Sequence, residues 1–106
     1  MQTFSDRVIR IALSIPKGRV TTYGRIARAA GGGPLSSQSI TSILGKAYKE
    51  RGVTIPFHRV VYANGTVWVN NRERTKRKKL YEEEQIDVDW KTLKIKNFKE
   101  VLLEFR

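Results

Sequence analysis

The stretch TYGRIARAAGGGPLSSQSITSILGKAYK, residues 22–49, decides the fold. Residues 22–30 have a helical pattern with Ile26 and Ala30 on the inner side. Three glycines and a proline, residues 31–34, then break the chain. A second helix is predicted from Ser36 or Ser37 to Lys49, because apolar residues recur at helical spacing at Ile40, Ile43, Leu44 and Ala47. This order predicts a helix-turn-helix whose second helix is presented outward.

The outer face of that second helix is polar, with short side chains near its start. We expect it to contact DNA through Ser37, Gln38, Ser39, Thr41, Ser42 and Lys46, with Lys49 further along. Small side chains allow close approach to a duplex, and lysines suit its phosphates. The alternative interpretation is an ordinary amphipathic surface helix.

The charge balance also points to a polyanionic partner. The 106 residues include 21 Lys and Arg against 10 Asp and Glu, a net charge of +11. Nucleic acid is the usual partner of so basic a domain, although solubilising or ribosome-like surface charge is the alternative. Six of the cations fall within eight positions at the start of a fourth predicted helix, residues 71–84. We expect Arg74, Lys76 and Arg77, together with Lys78, to lie near phosphates; a solvated face is the alternative.

The remaining segments complete a single domain. Residues 4–15 have the spacing of a helix that Thr3 and Asp6 cap. Residues 60–63 and 66–69 flank Asn64-Gly65, which predicts a β-hairpin with a type I′ turn. Residues 91–106 are expected to form an extended segment and a short closing helix. The predicted fold class is α+β, mostly helical: a winged helix-turn-helix domain with a short hairpin wing.

Composition also excludes several kinds of site. The chain has no cysteine and one histidine, so we expect no disulfide, no thiolate or zinc site, no cysteine nucleophile and no cofactor. The longest unbroken apolar run is residues 60–63, far too short for a signal peptide or a membrane span. We expect an intracellular monomer that is associated with DNA and not with a membrane.

Three motifs resemble the alkylguanine-DNA alkyltransferases. IPFHRVV at residues 55–61 is similar to that family's active-site motif, Pro-Cys-His-Arg-Val. IPKGRVTTYGRIA at residues 15–27 is similar to its entry into the helix-turn-helix, and KLYEEE at residues 79–84 to its later helix. The resemblance covers residues 3–88. It extends to the alkyltransferase-like proteins, which carry tryptophan in place of the cysteine and bind alkylated guanine without repairing it.

The resemblance implies roles for particular residues. Tyr23 matches the tyrosine that rotates a phosphate during base flipping, and Gln38 falls near the position of an arginine finger. His58 matches the motif histidine, and Glu84 its supporting glutamate. Phe57 replaces the nucleophile, so alkyl transfer is excluded, because a phenyl ring has no thiolate.

The implied lesion pocket consists of Tyr23, Phe57, His58, Arg59 and Trp68, and Thr22 joins the DNA-contacting residues. The Phe57 ring either stacks on a flipped base or packs the cavity shut. For His58, we favour a structural role over a catalytic one.

Three functions follow from these observations. The first is a non-enzymatic protein that binds alkylated guanine in double-stranded DNA and flags it for nucleotide excision repair proteins. The second is a winged helix-turn-helix protein with a regulatory or architectural role and no lesion recognition. The third, and weakest, is an enzyme that uses His58 and Glu84 to activate water.

Overall fold

The first helix begins where the sequence predicts. The protein is described by a computed structural model that covers residues 2–33 and 36–105. Helix α1 (Phe4–Leu13) starts at a capping box, in which the Thr3 hydroxyl accepts from the Asp6 amide at 3.1 Å and the Thr3 amide donates to Asp6 at 3.2 Å. The helix ends at Leu13, two residues earlier than expected, with Ser14 as its C-cap.

The helix-turn-helix prediction is confirmed, with different boundaries. Helix α2 (Tyr23–Ala29) follows Thr22, whose hydroxyl accepts from the Arg25 amide at 3.2 Å. Residues Ser36–Ser39 form a 3₁₀ turn, so helix α3 (Ile40–Arg51) begins later than the predicted Ser36 or Ser37. The Ser39 hydroxyl donates to the Ser36 carbonyl at 2.9 Å, a local bond that competes with regular helix formation. Pro34, part of the predicted break, lies outside the described residues.

The three helices enclose a first core. Helix α1 packs against both α2 and α3, and α2 packs against α3. The buried members of this core are Val8, Ile9, Ala12, Ile15, Ile26, Ala27, Ala30, Ile40, Leu44, Ala47, Ile55 and Val60. The apolar stripe predicted for α3 is therefore its inner face, and its polar side remains outward.

The predicted hairpin is only partly correct. Strand β2 (Val60–Val61) pairs in parallel with β1 (Thr21–Thr22) instead of with residues 66–69, which form no named strand. The turn itself forms, because the Gly65 amide donates to Tyr62 at 2.9 Å and the Tyr62 amide donates to Thr66 at 3.0 Å. Gly65 has a φ of 84°, whereas Asn64 is not in the left-handed region, so the type I′ assignment is wrong.

The C-terminal part builds a second core. A 3₁₀ turn (Asn71–Glu73) leads into α4 (Arg74–Glu83), followed by antiparallel strands β3 (Val88–Asp89) and β4 (Lys94–Ile95) and by helix α5 (Phe98–Val101). The expected extended segment and short closing helix are therefore present, although residue 106 lies outside the described part. The buried members of the second core are Val20, Val61, Val67, Tyr81, Ile86, Val88, Ile95 and Val101.

The last described residues return to β1. Val20 and Leu102 form a parallel bridge, and the Leu103 amide donates to the Val20 carbonyl at 2.7 Å. This contact joins the C-terminal segment to the strand that leads into α2. Throughout the described ranges, no helix combines the length and the hydrophobicity that a membrane crossing requires.

Candidate nucleic-acid interface

The outward side of the 3₁₀ turn and α3 is uncovered. Ser37 is partly exposed, and the other polar residues predicted there are exposed: Gln38, Ser39, Thr41, Ser42 and Lys46. The C-terminal segment lies elsewhere, since Leu103 and Phe105 pack on the first core and Glu104 pairs with Arg25 of α2 at 2.8 Å. As far as residue 105, the C-terminal segment thus leaves the surface predicted to contact DNA free.

Tyr23 begins α2 and lies beside this surface. Its ring contacts that of Tyr62, with centroids 5.6 Å apart and planes tilted by 47°. Burial raises the pKa of Tyr23, partly offset by a hydrogen bond with Thr41 of α3, so the phenol is neutral at physiological pH. Thr22, also predicted to contact DNA, is 2% exposed and its hydroxyl caps α2, which leaves it a structural role.

Tyr62 was not predicted from the sequence as a functional residue. It is 44% exposed, directly after β2, and it lines a shallow recess with Ala63, Asn64 and Thr66. The only available sequence signal was an aromatic residue next to the Asn64-Gly65 turn.

Phe57 lies at the start of a 3₁₀ turn (Phe57–Arg59) and is half-buried. Its inner side packs against the first core, and its ring meets that of Tyr48 edge-on, with centroids 6.0 Å apart. Tyr48, on α3, is 57% exposed and was also missed, because it lies off the helix's apolar stripe. The pair therefore combines a packed side with an accessible aromatic surface.

Glu84 joins three segments of the chain through its carboxylate. Arg59 donates to both carboxylate oxygens, from Nε at 2.9 Å and from Nη2 at 3.0 Å. The His58 Nε2 lies 2.5 Å from Oε2, and the Gly18 amide donates to Oε1 at 2.9 Å. The Glu84 side chain is 3% exposed, so this is a buried, fully bonded ion pair.

The electrostatics of this cluster fix its protonation. Burial alone would raise the pKa of Glu84, but the bonds from Arg59, Gly18 and His58 outweigh it and lower the pKa to about 2. Burial lowers the pKa of His58 despite its contact with Glu84. A neutral His58 that donates its Nε2 proton to an ionised Glu84 satisfies both shifts.

This arrangement favours a structural role for His58 and Arg59. Arg59 also donates to the Ile15 carbonyl at 3.0 Å, and the Tyr81 hydroxyl donates to the His58 carbonyl at 2.7 Å. Both oxygens of Glu84 are already engaged, so the carboxylate is poorly placed to activate water. Within residues 2–33 and 36–105, no cluster of three His, Asp or Glu residues is positioned to hold a metal ion.

The basic helix α4 divides into bonded and free cations. Arg74 donates to the Trp90 carbonyl at 2.8 Å, and its guanidinium carbon lies 5.4 Å from the centroid of that indole. Arg77 donates to the Trp68 carbonyl at 3.1 Å and pairs with Glu73 at 3.5 Å. Lys76 is exposed and forms no ion pair with any described residue. Of the three predicted DNA contacts on α4, two therefore have internal partners.

The two tryptophans occupy different environments. Trp68 is 53% exposed, while its carbonyl accepts the bond from α4. Trp90 packs against the second core, with its ring 6.1 Å from that of Tyr81. Trp68 is thus available on the surface, and its place in a lesion pocket stays a prediction, whereas Trp90 is structural.

Comparison with known families agrees with this architecture. Residues 3–86 match the family described as 6-O-methylguanine DNA methyltransferase, DNA binding domain. The match includes the helix-turn-helix, the segment around Phe57 and helix α4. It ends before β3, so residues 87–105 lie outside it.

Curated relatives are named DNA base-flipping proteins. The one from Escherichia coli (strain K12) is 40% identical over 65 residues, which is 61% of this chain and 48% of that protein. The chain thus aligns with about half the length of that relative. The one from Vibrio parahaemolyticus is 32% identical over 88 residues, 83% of this chain and 85% of that protein.

A solved structure shares the fold over nearly the whole chain. It is the crystal structure of S. pombe Atl1 in complex with damaged DNA that contains O6-carboxymethylguanine. The TM-score is 0.76 at 26% identity, covering 99% of this chain and 100% of Atl1. The likeness includes residues 87–105, which the family match leaves out.

Proposed function

Because this chain belongs to the family of 6-O-methylguanine DNA methyltransferase DNA-binding domains, we propose that it binds alkylated guanine in duplex DNA without repairing it. It does not transfer alkyl groups to cysteine, since the sequence contains none. The Atl1 complex with damaged DNA and the relatives named base-flipping proteins support lesion binding by this fold.

One observation carries the proposal. The outer face that begins at Gln38 is uncovered and lies beside the accessible Tyr23–Tyr62 pair. A duplex on this face presents its phosphates to a protein with a net charge of +11. In this arrangement α3 sets the position on the duplex, and Tyr23 acts on the backbone of the displaced nucleotide.

The Phe57–Tyr48 pair is the proposed receiving surface for the base. Unstacking a nucleotide costs a few kcal/mol. Stacking of a base on an aromatic side chain returns about 1–3 kcal/mol, which offsets much of that cost. Phe57 has no nucleophilic atom at the position of the family's cysteine, so the bound lesion would remain chemically unchanged.

A protein that binds a lesion without removing it requires other proteins to carry out the repair. We propose that the bound complex acts inside the cell as a signal for nucleotide excision repair proteins.

Gln38 supplies no positive charge to the vacated base stack, which favours a second candidate function. In that case the chain is a regulatory or architectural protein that binds DNA regardless of damage.

The decisive experiment compares duplexes that contain methylguanine or guanine at one position. Fluorescence anisotropy at several salt concentrations should show tighter binding of the lesion. The slope of log affinity against log salt should be about −4 to −5 if four to six phosphates are neutralised. Equal affinities would support the second candidate, and released base or restored guanine would contradict a non-enzymatic role.

A further inference from the structure

A continuous face leads from Tyr23 to the C-terminal lysines. The Tyr23 ring contacts that of Tyr62, whose amide donates to Thr66 at 3.0 Å. Thr66 forms an antiparallel bridge with Lys94 of β4. Directly opposed residues in an antiparallel pair place their side chains on the same face, so Thr66 and Lys94 share one.

Lys94 and Lys96 are both exposed on this face. Ile95 between them is 6% exposed and belongs to the second core, so the side chains on either side of it point outward. Asp89 opposes Lys94 in the β3–β4 register, but its Oδ1 accepts from the amides of Lys91 at 2.9 Å and Thr92 at 3.4 Å. Within the described ranges neither Lys94 nor Lys96 forms an ion pair within 4.0 Å, although, after the two amide bonds, the charge of Lys96 helps to lower the pKa of Asp89.

We propose that Lys94 and Lys96 form a second DNA contact, on the phosphates that flank the lesion site. This inference rests on the proposed function and extends it to residues 87–105, beyond the family match. Two strand spacings, about 10 Å, separate Tyr62 from Lys94 across Thr66. Measured along the duplex axis, that distance spans about three phosphates of one strand. The predicted contact is therefore several nucleotides from the flipped one.

The opposite face of the same sheet provides matched control residues. A Cβ placed on Gly65 would lie 3.0 Å from the Phe98 ring, so α5 covers the side of the sheet opposite to Thr66. Arg19 donates to the Glu100 carbonyl at 2.7 Å, which places the preceding loop beside α5. Lys99, exposed, lies on α5 itself, and Lys17, also exposed, lies in the loop two residues before Arg19.

The test compares two double variants of equal charge, Lys94→Gln/Lys96→Gln and Lys17→Gln/Lys99→Gln. The first should weaken binding to a lesion duplex and make the salt slope shallower by about 1–2, because each lost phosphate contact removes about 0.9. The second should leave the slope unchanged. The ratio of lesion to plain affinity should stay constant in both.

Uncharged methylphosphonates then locate the contact. When they replace the phosphates about two to five steps from the lesion on either side, the wild type and Lys94→Gln/Lys96→Gln should bind equally. Equal weakening by both double variants, or none by either, would overturn the inference. Failure of the wild type to prefer the lesion would instead count against the proposed function, so the two failures are distinguishable.

Discussion

The ring of Tyr62 lies against the ring of Tyr23, with their centroids 5.6 Å apart. The contact joins the segment after β2 to the first residue of α2, thirty-nine positions earlier in the chain. Tyr62 is 44% exposed, so the pair remains accessible while each ring restricts the other. Tyr62 thereby orients the side chain that we expect to act on the DNA backbone.

Replacing Tyr62 should reduce lesion preference more than duplex binding. An aromatic pair contributes about 0.5–1.5 kcal/mol, so Tyr62→Ala should lower the lesion-to-plain affinity ratio by about 2–12-fold. Tyr62→Phe keeps the ring and should behave like the wild type. A fluorescent base analogue at the target position reports on the extrahelical state. Equal losses on both duplexes would show that Tyr62 is only a general DNA contact.

Two variants of Phe57 should distinguish the contribution of the ring to packing from its contribution to base recognition. Phe57→Leu keeps most of the buried volume and removes the aromatic face, so it should abolish lesion preference at a cost in unfolding free energy under about 1.5 kcal/mol. Phe57→Ala should destabilise more, by about 2–3 kcal/mol, because the residue is half-buried. Denaturant unfolding and binding titrations measure the two effects. Unchanged lesion preference in Phe57→Leu would mean that the ring only fills space.

Stability should fall in acid because of the cluster around Glu84. The pKa of Glu84 is lowered from 4.5 to about 2, so its contribution is present above pH 4.5 and is lost as pH falls toward 2. The pKa of His58 is lowered from 6.5, so folding also disfavours its protonation and stability declines as pH falls below 6.5. Thermal unfolding between pH 7 and pH 2 should therefore show a steady loss.

The neighbouring carboxylates provide a matched pair of variants for this cluster. Glu84→Gln leaves Arg59 without its buried counter-charge and should cost about 3 kcal/mol in unfolding free energy. Glu83→Gln, at an exposed position, should cost under about 0.5 kcal/mol. Similar stabilities for the two variants would contradict a bracing role for Glu84.

Replacing the cations of α4 should affect either DNA binding or the stability of the fold, depending on the residue. Lys76→Ala should make the salt slope of DNA binding shallower by about 1 without lowering stability, because Lys76 is exposed. Arg77→Ala should destabilise the fold by about 1–2 kcal/mol, because it removes the bond to the Trp68 carbonyl and the pair with Glu73. Salt titrations and denaturant melts distinguish them. An unchanged slope for Lys76→Ala would place that lysine away from DNA.

The helices could be predicted from the sequence because their signals are local. The capping box joins Thr3 to Asp6 within one turn of α1, and the apolar spacing around Leu44 recurs within α3 alone. The sequence predicts the wrong strand partners for the hairpin, because the actual pairing is not local. Strand β2 pairs with β1, and Thr66 bridges Lys94. Alternating residues around Asn64-Gly65 cannot reveal such partners.

Individual side-chain roles were harder to foresee. The charge run of α4 predicts DNA contacts, yet Arg77 has 11% of its side chain exposed and holds the Trp68 segment. Tyr62 and Tyr48 gain significance only from rings that the fold brings beside them. Glu84 was identified through family resemblance, since nothing in its local sequence predicts a bond to Gly18.

The return of the C-terminal segment to β1 has a practical consequence for protein engineering. Leu102 and Leu103 complete the edge of the strand that ends one residue before Tyr23. A version shortened after Val101 would keep the bond from the Val20 amide to the Val101 carbonyl, but it would leave the Val20 carbonyl without its bond from Leu103 and expose the first core beneath Leu103. Such trimming, although remote in sequence, would disturb the strand that leads into Tyr23, the residue that we expect to meet the duplex.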